Sequence, residues 1–181
     1  NFINLLFKIA DDTNLIVPQN TDFSAKAEIS NIKYWAFESC MEINWDKTTE
    51  LIFRRPNTKL CLLPDPVCNI EQVLEARLLG VIINGKFSFV SHVNYLLSIC
   101  SQRLYLLKLL RQQGLPPNEL NIVYNAIIVS RIAYALPVWA GFITADLINR
   151  INALRKKTFK WGYSLHCDNV SKLIEQTDNK L

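Results

Sequence analysis

The chain has 181 residues, 50% of them hydrophobic, and a formal net charge of +4, a composition that predicts a globular protein with one domain or two small halves. Its five cysteines are scattered and never stand at metal-ligand spacing, so neither a disulfide framework nor a zinc site is indicated, and we expect an intracellular location, in the cytoplasm or nucleus. Polar residues interrupt the longest apolar run, residues 120–143, which argues against a membrane span, and no signal peptide is visible.

Acidic and basic residues are concentrated in different parts of the chain. Residues 1–75 contain 7 Lys or Arg and 11 Asp or Glu, whereas residues 76–165 contain 11 Lys or Arg and only 2 Asp or Glu. A basic half joined to an acidic half fits a protein that binds a polyanion and a cation. The solvated surface of ordinary helices gives the same excess of positive charge, so both interpretations stay open.

The first residues predict a β-hairpin. An apolar run over residues 2–9 is followed by Ala10 and the acidic pair Asp11 and Asp12, and then by a second run over residues 15–17. The two acidic side chains would therefore lie at the tip of an apolar hairpin. The first run begins without a cap or turn and the first residue is not Met, so we expect the chain to be a fragment of a longer protein.

A helix and several short strands are predicted after the hairpin. Apolar residues recur at helical spacing over residues 25–41, and Thr21 or Asp22 can cap that helix. Short β-prone runs follow, separated by Pro, Asn and Gly, at residues 50–53, 60–63 and 78–83. The predicted fold class is therefore α+β, with short antiparallel strands in this half.

The second half predicts a helical bundle. Asn84 and Gly85 form a strong turn dipeptide, and a leucine-rich stripe at helical spacing then runs from residue 93 to the break at Gly114. Two further helices are expected over residues 119–135, ending before Pro137, and over residues 145–161.

The tryptophans are expected to be structural. Trp35, Trp139 and Trp161 lie on apolar helical patterns and are predicted to belong to the core. For Trp45 a packed position is the preferred interpretation, and a base-stacking platform is the alternative.

The adjacent carboxylates of Asp11 and Asp12 require an explanation, because like charges repel and neighbouring strand residues point to opposite faces. One explanation is a divalent cation, since Mg²⁺ prefers hard oxygen ligands and commonly takes one or two carboxylates, substrate phosphates and waters. In a two-metal site such ions activate a 3′-hydroxyl and stabilise the leaving pyrophosphate. A solvated turn with both acids in water is the alternative.

The sequence around this pair resembles the catalytic hairpin of reverse transcriptases, especially those of non-LTR retrotransposons. Residues 9–17, IADDTNLIV, are similar to the family's aromatic-Ala-Asp-Asp hairpin, with Ile9 in place of the usual aromatic residue. Residues 35–53 look like the next palm motif, a helix followed by a turn, a Lys-Thr pair and a strand. Residues 79–89 are similar to the segment that leads into the primer grip, and residues 124–139 resemble the helical part after the palm.

The resemblance implies a partial polymerase palm followed by an all-helical, thumb-like bundle. Residues 1–89 would be the partial palm, with the catalytic hairpin and a primer-grip-like turn. Residues 90–163 would be the thumb-like region, and residues 164–181 a C-terminal tail. The parent protein would be an RNA-directed DNA polymerase that uses an RNA template, a DNA primer and deoxynucleoside triphosphates, with no membrane involved.

The resemblance also implies roles for particular residues. Asp11 would be the chief metal ligand of this segment, Asp12 a supporting carboxylate, and Lys47 a proton donor to the leaving pyrophosphate. A solvated lysine in a turn explains Lys47 equally well. The turn at Gly85 and Lys86 would approach the primer backbone, although a plain hairpin turn explains the same residues.

Basic residues on the predicted helices would contact phosphates of the template and primer. Such contacts are independent of sequence and sensitive to salt. An ordinary surface charge explains any one of these residues as well. The candidates are Arg103, Lys108, Arg111, Arg150, Lys156, Lys157 and Lys160.

The two-metal Mg²⁺ site is predicted to be incomplete in this chain. A polymerase of this kind needs a further aspartate, which in the family comes from a strand before the hairpin, and it also needs fingers. We therefore predict that the chain alone does not polymerise DNA. Two other classes stay open, a non-enzymatic nucleic-acid-binding remnant and an intracellular helical interaction module, and so does the oligomeric state.

Overall fold

A computed structural model describes residues 3–19, 24–54, 64–167 and 169–178, and the chain divides into two compact units. The first, here called the hairpin unit, comprises Asn1–Ile52 and Thr58–Val73. The second, the helical unit, comprises Phe53–Asn57 and Leu74–Leu181. Small sheets and several helices are present together, so the predicted α+β class is confirmed.

The hairpin unit begins with the predicted β-hairpin. Strands β1 (Leu5–Ile9) and β2 (Asp12–Ile16) are antiparallel, and Ile9 pairs with Asp12. The turn therefore contains only Ala10 and Asp11, and Ala10 has a φ of +54°. A positive φ at the first turn residue matches the twist of the flanking strands in a two-residue turn.

Helix α1 (Ala25–Glu38) confirms the predicted helix and ends three residues earlier than expected. Its N-cap is Ser24, whose hydroxyl accepts a hydrogen bond from the Ala27 amide; the expected caps, Thr21 and Asp22, lie outside the described residues. At the other end Cys40 has a φ of +53°, and the Met41 amide donates to the Ala36 carbonyl at 2.8 Å. This left-handed cap ends the helix.

The short strands of the hairpin unit pair differently from the prediction. Strands β3 (Thr49–Leu51) and β4 (Glu71–Val73) are parallel, so the expectation of antiparallel pairing is wrong here. Parallel neighbours need a long crossover connection, and residues 52–70 provide one. The side-chain amide of Gln72 donates to the Glu50 carboxylate at 3.0 Å and fixes the pair. The predicted strand at residues 60–63 lies outside the described residues.

The helical unit opens with a second hairpin, where a single strand was predicted. Strands β5 (Glu75–Leu78) and β6 (Val81–Asn84) are antiparallel, and Leu79 and Gly80 form the turn with φ values of +47° and +85°. The Tyr134 hydroxyl donates to the Leu79 carbonyl at 2.8 Å. The prediction of one continuous run over residues 78–83 is therefore wrong, because a glycine in a left-handed conformation reverses the chain.

The predicted helical bundle is present, with more segments than expected. Pro117 begins the second helix, and a π-helical turn over Asn125–Val129 divides it, whereas one regular helix was predicted. The helix ends at Ala133, before Pro137 as predicted. The segments are α2 (Val90–Gln112), α3 (Pro117–Tyr124), α4 (Ser130–Ala133), α5 (Leu136–Trp139), α6 (Ala145–Lys160) and α7 (Val170–Asp178).

The main core lies in the helical unit. The predicted stripe of α2 is buried at Leu96, Cys100, Leu104 and Leu107, and it packs in one cluster with residues of α3 to α7. Helix α7 was not predicted, but its first residue, Val170, is fully buried. The described part of the hairpin unit contains far fewer buried residues.

The expectation that the tryptophans are core residues is right for one of them. Trp139 is fully buried, and its indole N–H donates to the Tyr134 carbonyl at 3.2 Å. Trp35, Trp45 and Trp161 are 42%, 42% and 39% exposed, so the prediction is wrong for them. Lysine ammonium groups cover these three rings at 4.5–4.6 Å, so each is an amphipathic surface group.

One segment of the described chain, Pro117–Phe142, is long and apolar enough to cross a membrane by length and composition. Along that segment Leu120, Tyr124, Ile128 and Ile132 are at most 1% exposed and belong to the core of the helical unit.

Candidate metal site and nucleic-acid interface

Asp11 and Asp12 lie at the exposed end of the β1–β2 hairpin. Asp11 is the second turn residue and Asp12 the first residue of β2. Both side chains are exposed, and within the described parts of the chain neither carboxylate has a hydrogen-bond or ion-pair partner. Two carboxylates that face water are available to a cation, and this geometry also fits the alternative of a solvated turn.

The turn that carries Asp11 is strained at Ala10. An L-residue in the left-handed region costs about 1–2 kcal/mol relative to its usual conformation, which is why glycine, asparagine or aspartate normally stand there. Backbone strain of this kind is concentrated at functional sites, where the surrounding structure enforces it. A two-residue turn requires a positive φ at this position, so the strain follows from the tight turn that presents Asp11 and Asp12.

The donor atoms at the tip are of the type that Mg²⁺ binds, but they are too few to form a complete site. Carboxylate oxygens are the hard ligands that Mg²⁺ takes, with substrate phosphates and waters completing an octahedron. Among residues 3–19, 24–54, 64–167 and 169–178, no three His, Cys, Asp or Glu side chains converge on a common point. Asp11 and Asp12 would therefore hold the ion only as part of a larger site.

Lys47 ends a short 3₁₀ turn, Trp45–Lys47, in the hairpin unit. Its amide donates to the Asn44 side-chain oxygen at 3.2 Å, and the Thr48 hydroxyl donates to the Asn44 carbonyl at 2.8 Å. The turn is fixed by these bonds, and the strand β3 follows it as the motif predicts. The ammonium group is exposed and bonds to neither aspartate in the part of the chain that the structure describes.

The turn at Gly85 and Lys86 leads from strand β6 into helix α2, so the alternative of a plain hairpin turn is wrong. The Asn84 side-chain oxygen accepts from the amides of Lys86 and Ser88 at 3.1 and 2.8 Å. Phe87 follows with a φ of +53°, which is rare for a bulky residue. Lys86 points into solvent on a backbone that these hydrogen bonds hold in place.

Three of the seven basic candidates on the helices come together at one groove. Lys108 on α2 and Lys157 on α6 line it, and the Arg111 guanidinium lies beside it, 5.0 Å from the centre of the Tyr163 ring. Arg111 also donates a hydrogen bond to the Trp161 carbonyl. The groove has a volume of about 250 Å³.

The other four basic candidates lie elsewhere. Arg103 is half-buried, and its guanidinium donates to the Ile127 carbonyl inside the π-helical turn, so at least one of its N–H groups is committed to the fold. Lys156 lines a second groove with Asn152 and Asn169. Arg150 and Lys160 are exposed on α6 and line neither groove.

No family model, curated protein or solved structure matches the chain. The assignment of function therefore depends on the residues themselves and on the arrangement described above.

Two buried titratable groups of the helical unit belong to its packing. The Ile82 amide donates to His92 Nδ1 at 3.3 Å, and the His92 and Trp139 rings meet edge to face with centroids 5.3 Å apart. Burial, with smaller contributions from Arg131 and Arg77, lowers the pKa of His92. Burial raises the pKa of the fully buried Cys100 thiol to about 11. The four described cysteines, Cys40, Cys68, Cys100 and Cys167, have free thiols.

The aromatic lining of the groove was not predicted from the sequence. Tyr105 on α2 is 61% exposed, and Trp161, assigned to the core, borders the groove together with Tyr163. A signal was present in Gly162, which follows Trp161 and adopts a φ of +72°. A glycine directly after a periodic helix marks a left-handed cap, so Gly162 indicates that the helix ends next to Trp161.

Proposed function

We propose that the chain is a segment of an RNA-directed DNA polymerase of a non-LTR retrotransposon, consisting of part of the palm and a thumb-like helical region. The observation that carries this proposal is the hairpin tip, where two adjacent carboxylates without partners follow a strained Ala10. The order of the elements supports it, since a hairpin, a helix, a fixed turn with Lys47, a strand and a helical bundle succeed one another.

In this proposal each residue acts through its own chemistry. Asp11 and Asp12 would hold Mg²⁺, which when bound lowers the pKa of the primer hydroxyl and neutralises charge on the phosphates. Lys47 would donate a proton to the pyrophosphate as it leaves. The rigid turn at Gly85 and Lys86 would support the primer backbone, and the basic residues of the helices would contact phosphates of the hybrid.

The chain by itself is proposed to be inactive. The family's additional aspartate comes from a strand before the hairpin, and the ten residues that precede Asp11 contain no acidic side chain. A primer-extension assay on a primed RNA template should therefore show no incorporation by this chain. Robust incorporation would refute the view that its metal site is incomplete.

The decisive experiment uses a longer parent protein in which an upstream strand supplies the missing aspartate. D11N and D12N should each abolish synthesis there while template binding is retained. D46N is the matched control, because Asp46 is an exposed acid of the same unit outside the hairpin. Synthesis that survives both hairpin substitutions would eliminate the polymerase proposal.

The hairpin can also be tested in the present chain. Mn²⁺ replaces Mg²⁺ at carboxylate sites and broadens NMR signals nearby, so it should broaden the amides of residues 9–13 first. The D11N/D12N double variant should lose this broadening, and D46N should keep it. Equal broadening in the double variant would count against a metal site.

A second function, nucleic-acid binding without catalysis, is favoured by the grouping of Lys108, Arg111 and Lys157 at one groove. In this case affinity for nucleic acid would fall steeply with salt, and no parent protein would extend a primer. An affinity that is absent, or that does not respond to salt, would leave the helical interaction module as the remaining class.

A further inference from the structure

We propose that the groove between α2 and α6 binds a single-stranded segment of nucleic acid, with an unpaired base stacked on its aromatic wall and the flanking phosphates held by Lys108 and Lys157. The inference rests on the nucleic-acid-binding part of the proposed function, and it is independent of the metal site at Asp11 and Asp12.

The first support is the chemistry of the lining. Helix α2 contributes Ser101, Tyr105 and Lys108, and the end of α6 with the following residues contributes Lys157, Trp161 and Tyr163. The groove is lined by leucine, serine, lysine and aromatic side chains, with no carboxylate among them. Proteins that bind single strands without sequence preference combine a positive groove with aromatic rings in this way.

The second support is the exposure of the rings. Tyr105 is 61% exposed and Trp161 39% exposed, whereas Tyr163 is 3% exposed and forms a buried part of the same wall. The rings of Trp161 and Tyr163 meet edge to face, with centroids 5.9 Å apart. Tyr105 on α2 and Trp161 at the end of α6 therefore keep part of their side chains accessible at the groove, where a base can contact them.

The third support is that the aromatic wall is held in place. The Tyr163 amide donates to the Thr158 carbonyl at 3.0 Å, Gly162 takes the left-handed conformation, and Arg111 donates to the Trp161 carbonyl. These contacts close the end of α6 and fix the backbone that presents Trp161. A preformed platform loses little conformational entropy when a ligand binds, and this favours affinity.

The aromatic lining favours a single strand over a duplex. In a double helix the faces of the bases are stacked on each other and cannot reach a side-chain ring, so only phosphates would contact the groove. An unpaired base offers its face to the rings and leaves its phosphates to the lysines. The Lys157 ammonium lies over one face of the Trp161 ring, 4.5 Å from its centre, and would move from that face to a flanking phosphate as the base stacks.

The test measures the affinity of the whole chain for a labelled oligothymidylate of about ten nucleotides, against a duplex of the same length, by fluorescence anisotropy. The single strand should bind more tightly than the duplex. W161A should weaken single-strand binding about tenfold or more, and Y105A should weaken it in the same direction. K157A should reduce the slope of log affinity against log salt by about 0.7.

The matched controls lie on the same helix. Phe159 is an exposed aromatic residue of α6 outside the groove, and Lys156 is an exposed lysine that lines the second groove. F159A should leave affinity within about twofold, and K156A should weaken it less than K157A. W161F preserves a stacking ring and should retain most of the affinity. Because W161F tests the ring independently, a loss in W161A that is caused only by misfolding can be recognised.

The outcomes separate this inference from the proposed function. Tighter binding of the duplex, or equal losses in W161A and F159A, would overturn the single-strand site while leaving nucleic-acid binding intact. Equal affinity for polyglutamate would mean that the groove binds anions in general, and this result would also overturn the single-strand site. Failure of the metal site is observed in the Mn²⁺ broadening of the hairpin amides and failure of the groove in oligonucleotide affinity, so different measurements distinguish the two.

Discussion

Arg155 is a buried cation in helix α6, and its replacement tests how the helical unit is packed. Its side chain is 5% exposed, and its Nε and Nη1 have no hydrogen-bond partner among the residues that the structure describes. A buried donor without a partner costs about 1–3 kcal/mol, and more when it is charged. Arg155 therefore lowers the free energy of unfolding compared with an apolar side chain of similar volume.

The perturbation is R155M, which keeps much of the aliphatic volume and removes the guanidinium. Replacing a buried charged group with a packed hydrophobic one is often stabilising by about 1–4 kcal/mol. For a chain of this size each kcal/mol raises Tm by about 2–4 °C. Urea unfolding followed by far-UV circular dichroism should give a higher midpoint with an unchanged slope.

The matched control is R150M, because Arg150 is exposed on the same helix. Substitution of an exposed residue should change the free energy of unfolding by about 0.5 kcal/mol or less. A loss of more than about 1 kcal/mol in R155M, with the control unchanged, would refute the reasoning, since it would mean that the guanidinium makes stabilising contacts in the folded protein.

Two further predictions concern the other buried titratable groups. Because burial holds the pKa of His92 below its ordinary 6.5, the unfolded chain binds a proton that the folded chain does not. The stability that this difference contributes is complete above pH 6.5 and is lost as the pH falls towards the lower pKa of the folded chain. When the urea midpoint is plotted against pH, H92Q should remove the fall in that pH range. An equal effect of H166Q, at an exposed histidine, would contradict the assignment to His92. Burial raises the pKa of Cys100 to about 11, so iodoacetamide at about pH 8 should label exposed Cys40 and spare Cys100 in the native chain, as peptide mass spectrometry will show; equal labelling would contradict its burial.

The parts of the fold that the sequence predicted correctly depend on local interactions. The first hairpin needs only two apolar runs and a tight turn, and the stripe from Leu96 to Leu107 determines which face of α2 is buried. Pro137 lacks an amide hydrogen and restricts the residue before it, so the end of the preceding helix is also visible in the sequence.

The parts that were wrong or missed depend on contacts between distant residues. Strand β3 pairs with β4 across a long connection, and no local pattern specifies a parallel partner. Periodicity identified an apolar face of α1, but it does not show whether another element covers that face, and Trp35 stays 42% exposed. Helix α7 is stabilised at its first residue, Val170, which enters the core. The Val170 amide donates to the Asn152 side-chain oxygen at 2.9 Å.

Of the two candidate sites, the hairpin tip could be located from the sequence and the groove could not. Asp11 and Asp12 are neighbours, so the sequence alone places both at the hairpin tip, although the predicted turn included Asp12, which is the first residue of β2. The groove brings together Tyr105 and Trp161, which lie far apart in the chain and on different helices. Only the packing of α2 against α6 joins them, and no spacing rule predicts that.

The candidate site of the helical unit is supported by a larger core than that of the hairpin unit, and this difference affects which function each site can perform. The groove is built on α2 and α6, whose inner faces belong to one large core. In the described part of the hairpin unit only Ala36 and Ile70 are buried, and a two-stranded hairpin alone is marginally stable in water. Carboxylates on such a hairpin must be ordered as a cation binds, which weakens binding. Nucleic-acid binding and nucleotide addition should therefore be separable in this chain, with binding at the groove present and synthesis absent.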